Sequence, residues 1–179
     1  MTRKMDGKSK FLKKSIFDVS ISTASGDKNG SNKAIDYPIP INVSIWLVFS
    51  SFFFMVPGVY AFIHSFYFYG SVSAITTLCS ANHWRNAEDG VRRTIDRIVA
   101  HASFITYLVT GCVFLRGVLL YGYGTSVGGI MLIFYYFSAR LAKQGNSRWV
   151  YCHFLFHVFV ALGQYLVMYA TVRGYKSRI

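Results

Sequence analysis

Residues 41–84 read INVSIWLVFSSFFFMVPGVYAFIHSFYFYGSVSAITTLCSANHW and contain no Asp, Glu, Lys or Arg. A helix crosses the hydrocarbon core of a bilayer in about 20 apolar residues. The stretch is therefore too long for one crossing. It predicts two spans, 41–63 and 65–84, with a tight turn near His64. Pro38 and Pro40 precede the first span, and Pro57-Gly58 predicts a kink within it.

Three more apolar blocks follow, predicting spans at 94–115, 117–139 and 149–172. Two polar loops, RNAEDGVRR (85–93) and RLAKQGNSR (140–148), set them apart. Gly122, Gly124, Gly128 and Gly129 in the fourth block suit close helix contacts. The predicted class is all-α: a polytopic transmembrane helical bundle of about five spans. The bundle occupies 39–173, a basic N-terminal arm expected to be flexible occupies 1–38, and a short basic tail occupies 174–179. No internal repeat is visible.

Composition agrees. The chain is 53% hydrophobic and only 15% charged, too little charge to cover a soluble domain of 179 residues. The net charge of +12 would suggest a nucleic-acid partner in a soluble protein. Here the basic residues flank the apolar blocks, as membrane orientation requires, and no nucleic-acid motif is present. The arm suits a juxtamembrane segment near anionic lipid. It has no apolar core before Ile41, so it does not read as a secretory signal. Cys79, Cys112 and Cys152 all lie in apolar blocks and form no disulfide framework or CxxC motif.

Lysine and arginine counts give an expected orientation. The arm carries eight, the turn near His64 none, and the 85–93 loop Arg85, Arg92 and Arg93. The third-to-fourth connection has Arg116, and the 140–148 loop has Arg140, Lys143 and Arg148. This predicts an integral, multi-pass protein with its N-terminus on the cytosolic, matrix or stromal side. The tail, with Arg173, Lys176 and Arg178, runs against the trend.

The topology places His83, Asp96, His153 and His157 in one leaflet. Histidines at i and i+4 are neighbours on a helix. With a third histidine they supply three nitrogens and an open fourth position, as in a zinc site. Zinc lowers the pKa of bound water toward about 7. A nearby carboxylate, Asp96, can take its proton or orient a ligating histidine. Plainer readings exist for each group. HxxxH also suits helix–helix hydrogen bonding, an interfacial position or haem. Asp96 can pair with Arg92, Arg93 or Arg97 at a helix start. His101 reads as a hydrogen-bonded packing residue, His64 as interfacial, and Gln164 as joining helices.

CSANHW (79–84), RRTIDRIVAH (92–101) and WVYCHFLFH (149–157) together resemble the CREST superfamily, which includes the alkaline ceramidases and the progestin and adipoQ receptors. The chain is also similar to small algal, protist and viral membrane proteins. The resemblance implies a zinc ion held by His83, His153 and His157, with Asp96 activating water or steadying the site. It implies hydrolysis of a lipid amide or ester and a place in lipid metabolism. The family's serine stands four residues before its histidine. Cys79 occupies that place here and Ser80 follows it, so either is a candidate to hold the oxyanion. The family has seven helices, against five expected here. Membrane lipids are the expected partners, with a homodimer or neighbouring subunits also considered. Two other classes stand beside the hydrolase: a non-catalytic subunit of a respiratory or photosynthetic membrane complex, and a receptor whose metal serves stability alone.

Overall fold

The computed structural model describes residue 39 and residues 41–88 and 90–177, and these are helical apart from short connections. The first span is α1 (Ile41–Ser51), a 3-10 turn (Phe52–Phe54) and α2 (Met55–Ile63). Then come α3 (Tyr67–Arg85), α4 (Val91–Phe114), α5 (Val118–Lys143) and α6 (Trp149–Lys176). The arm at 1–38 lies outside the described residues. The bundle expected to close at residue 173 continues as helix to Lys176.

Four segments are long and apolar enough to cross a membrane: Val43–Ile63, Val91–Phe114, Tyr121–Lys143 and Trp149–Lys176. The expected second span, α3, is too polar to meet that measure, and its pattern explains why. Gly70, Ser73, Thr76, Thr77, Ser80, His83 and Trp84 are buried, at the three- and four-residue spacing of one helix face. Phe68, Ile75 and Leu78 point outward. The helix is thus polar inside and apolar outside. Thr76 and Thr77 donate their hydroxyl protons to the carbonyls of Val72 and Ser73, at 2.8 and 2.9 Å. α3 packs on α1, α2 and α4, while α6 packs on α1, α2, α4 and α5.

The first two spans meet closely. A Cβ on Gly58 would stand 2.8 Å from the Ser73 Cβ, and one on Gly70 would stand 2.7 Å from the Phe62 ring. Pro57 has no N–H for the Phe53 carbonyl and crowds it. The helix tightens there, at Phe52–Phe54, one turn before the proline where the sequence predicts the kink.

The turn at His64 is closed by two backbone bonds, Phe66 N–H to Ala61 O at 2.9 Å and Ser65 N–H to Phe62 O at 3.0 Å. These satisfy carbonyls that the helix end would leave bare in lipid. The motif forces Ser65 to φ 65°, a left-handed conformation. The turn after α5 has the same two bonds, with Gly145 at the equivalent position. Beyond the His64 turn, Ala61, Tyr107, Val167 and Met168 form an apolar core flanked by Phe66, Tyr69 and Leu115.

Two expectations follow for unfolding in detergent micelles. Ser65→Gly relieves the left-handed strain and raises stability by about 1 kcal/mol. Gly58→Ala forces α2 and α3 apart and lowers it by about 1–3 kcal/mol. A stability-neutral Gly58→Ala would contradict the close approach.

Candidate functional site

Up-and-down threading brings the start of α1, the end of α3, and the starts of α4 and α6 to one end of the bundle. The helix ends and connections there carry Arg85, Arg92, Arg93, Lys143 and Arg148, so it is the basic end. Ser44 donates to the Trp84 carbonyl, tying α1 to α3. The Trp84 ring lies 5.0 Å from His153 and 6.1 Å from Trp149, tying α3 to α6. His83 packs on Trp84 at 4.6 Å.

One turn deeper is a layer of hydroxyls. Ser80 hydrogen-bonds Asp96 across the α3–α4 contact. Ser51 Oγ stands 3.0 Å from Ser80 Oγ, so the chain of hydroxyls runs on to α1. Ser50, beside it, lies 2.7 Å from His157 Nδ1. The rings of His153 and His157 are 4.6 Å apart, and the His157 ring packs on Phe54 at 4.9 Å. Ser138, from α5, stands 3.2 Å from His153 Nδ1. His83 and His157 are each only 3% exposed.

The structure thus brings His83, Asp96, His153, His157 and Ser80 to one end. Cys79 is only half-buried, whereas Ser80 is buried and its hydroxyl reaches the carboxylate. The histidines converge incompletely. Among the described residues no three His, Cys, Asp or Glu side chains are gathered closely enough to hold a metal ion. The donor chemistry nevertheless suits one. Among the described residues the buried Nδ1 of His83 has no hydrogen-bond partner, and neither does the buried Trp84 Nε1 beside it.

Sequence reasoning passed over Ser44, Ser50, Ser51 and Ser138, and Trp84 as a wedge between histidines. Their one signal is a hydroxyl inside an apolar run, such as Ser50-Ser51 in WLVFSSFFF. Of the other polar groups, Gln164 Nε2 donates to Ser103 Oγ at 3.2 Å and joins α6 to α4, while its buried Oε1 has no partner. His101 is exposed, its Nδ1–H directed at the Arg97 carbonyl at 2.6 Å. His64 packs on Tyr60 at the turn.

No family model, curated protein or solved structure matches the chain.

Removing the Ser80 hydroxyl strips Asp96 of a donor and Ser51 of a partner. Ser80→Ala is expected to lower stability by about 1–3 kcal/mol. Ser80→Thr, which keeps the hydroxyl, should recover much of that loss. The check is denaturant unfolding in micelles, and equal stability of both variants with the parent would contradict the bridge.

Proposed function

We propose that the basic end is a zinc centre held by His83, His153 and His157, and that the protein is a membrane-embedded hydrolase acting on a lipid amide or ester. The observation that carries this reading is the placement of three histidines, a carboxylate and a serine from α3, α4 and α6 at one end of the bundle, with His83, His157 and Ser80 buried. The unpartnered Nδ1 of His83 supports it, because a buried imidazole nitrogen in an apolar setting calls for a partner. Closing the ligand set requires movement of the rings.

Bound there, zinc would polarise a carbonyl and supply hydroxide at neutral pH. The chain's own residues have separate tasks. Asp96 accepts a proton from the attacking water and passes it to the leaving group. Ser80 donates to that carboxylate and fixes its direction, and Ser51 steadies Ser80 from α1. Trp84 and Phe54 cover the imidazoles and limit access of water.

A lipid substrate is supported by an apolar groove of about 210 Å³ lined by Phe53, Val56, Val158, Ala161, Leu162 and Tyr165. Phe53 and Val158 are the sequence neighbours of Phe54 and His157, so a hydrocarbon chain lying in the groove would end near the histidine pair. The charge distribution supports an orientation with the basic end on the cytosolic, matrix or stromal side.

A second reading is favoured by one observation. His153 and His157 are already hydrogen-bonded to serines of neighbouring helices without a three-ligand cluster. On that reading the layer is structural glue in a small subunit of a larger membrane complex.

Metal content separates the two. Protein purified in detergent without a metal-affinity step is expected to hold about one zinc per chain by mass spectrometry. His157→Ala should lose it. Metal-free parent protein that also takes up no added zinc would overturn the zinc-hydrolase reading and favour the structural one.

A further inference from the structure

The Ser50 hydroxyl has one proton and two neighbours. Leu47 O lies 2.9 Å from Oγ, and His157 Nδ1 lies 2.7 Å from it. A carbonyl oxygen can only accept, so both contacts are hydrogen bonds together only if the Ser50 proton goes to Leu47 O; the Ser51 hydroxyl is also 2.9 Å from Leu47 O, but its one proton goes to Ser80. The bond to His157 must then run the other way, with Nδ1–H donating to the Ser50 oxygen. In a neutral imidazole this leaves Nε2 as the ring's lone-pair nitrogen. Both residues are sealed in the bundle, Ser50 with no exposure and His157 with 3%.

We propose that Ser50 is a positioning residue that locks His157 in its Nδ1–H tautomer and leaves Nε2 as its lone-pair nitrogen, in a ring packed against that of His153. Its consequence for metal binding rests on the zinc reading above; the tautomer itself does not. The lock also explains why a serine is placed mid-span in α1, where it buries a polar group among Leu47, Phe54 and α6. Its own proton is spent on the helix backbone, so its oxygen is left as a fixed acceptor. Outer hydrogen-bond partners of this kind set the tautomer of metal-binding histidines, and losing one costs about 10–100-fold in metal affinity.

The test uses the full chain in micelles, labelled with ¹⁵N-histidine. At neutral pH the His157 signals, assigned by their loss in His157→Gln, should show a pyrrole-type Nδ1 and a pyridine-type Nε2. Ser50→Ala should mix the two tautomers, and Ser50→Thr, which keeps the hydroxyl, should restore the parent pattern. Zinc alone is then titrated. Ser50→Ala is expected to bind about 10–100-fold more weakly than the parent, with Ser50→Thr close to the parent.

A pyrrole-type Nε2 in the parent overturns the proposal, whatever the metal does. Unchanged zinc affinity in Ser50→Ala, with its tautomers mixed, overturns the positioning role while leaving the zinc site intact. If the parent binds no zinc but shows the expected tautomer, lost in Ser50→Ala and kept in Ser50→Thr, the lock stands and the zinc reading fails.

Discussion

Lipid offers no hydrogen bonds, so the hydroxyl-lined face of α3 must be covered by protein. Ser73, Thr76, Thr77, Ser80 and His83 lie along that face. An exposed hydroxyl or imidazole in hydrocarbon costs several kcal/mol. The chain meets this demand by packing the face of α3 against α1, α2 and α4, and α6 completes the enclosure through its own contacts with those helices. Small side chains permit the approach, as Gly58 and Gly70 show where α2 and α3 meet. The bundle is therefore organised around its least apolar helix, and the more apolar helices serve as its solvent.

The same demand explains the polar pairs along the bundle. Ser73 meets the Tyr107 hydroxyl at 2.8 Å, Tyr69 meets Thr110 at 3.0 Å, and Ser103 takes the Gln164 amide proton. Each pair joins two helices, so together they fix helix rotation and register where apolar packing alone would leave them loose. Toward the basic end the pairs become acid–base groups: Ser80 with Asp96, and Ser50 with His157. Chemistry is thus grafted onto one end of a seam whose remainder is structural. The groups left without partners among the described residues, His83 Nδ1, Trp84 Nε1 and Gln164 Oε1, mark where that seam is unfinished.

Much of this was legible in the sequence. The expected spans coincide with the helices to within a few residues, because an uncharged run reports the helix length directly, but α3 falls short of the hydropathy of a crossing. The differences lie at the ends. α4 begins at Val91 and takes in Arg92 and Arg93, and α5 continues to Lys143 past Arg140. Hydropathy falls at the first charge, whereas a helix continues until a glycine such as Gly90 or Gly145 breaks it. Proline also acts on the carbonyl four residues back, which is why the irregularity falls at Phe52–Phe54 and not at Pro57-Gly58. HxxxH and Asp96 stood out because charge and imidazole are rare in such runs. Ser50, Ser51 and Ser138 did not. Serine is common in membrane helices, and its partner here is fixed only by the fold: Ser50 and His157 are 107 residues apart.

The central claim is that α1, α3, α4 and α6 meet in one polar layer at the basic end. The most direct measurement is a disulfide cross-link between Ser51→Cys and Ser80→Cys, in membranes, with Cys79, Cys112 and Cys152 replaced by alanine. The two native hydroxyl oxygens are 3.0 Å apart. Mild oxidation should therefore produce an intramolecular bond in most of the chains, read as the loss of two hydrogens in the intact mass and of both free thiols. Two thiols that stay free under oxidation, in protein that remains folded, would show that α1 and α3 do not meet there and would contradict the account.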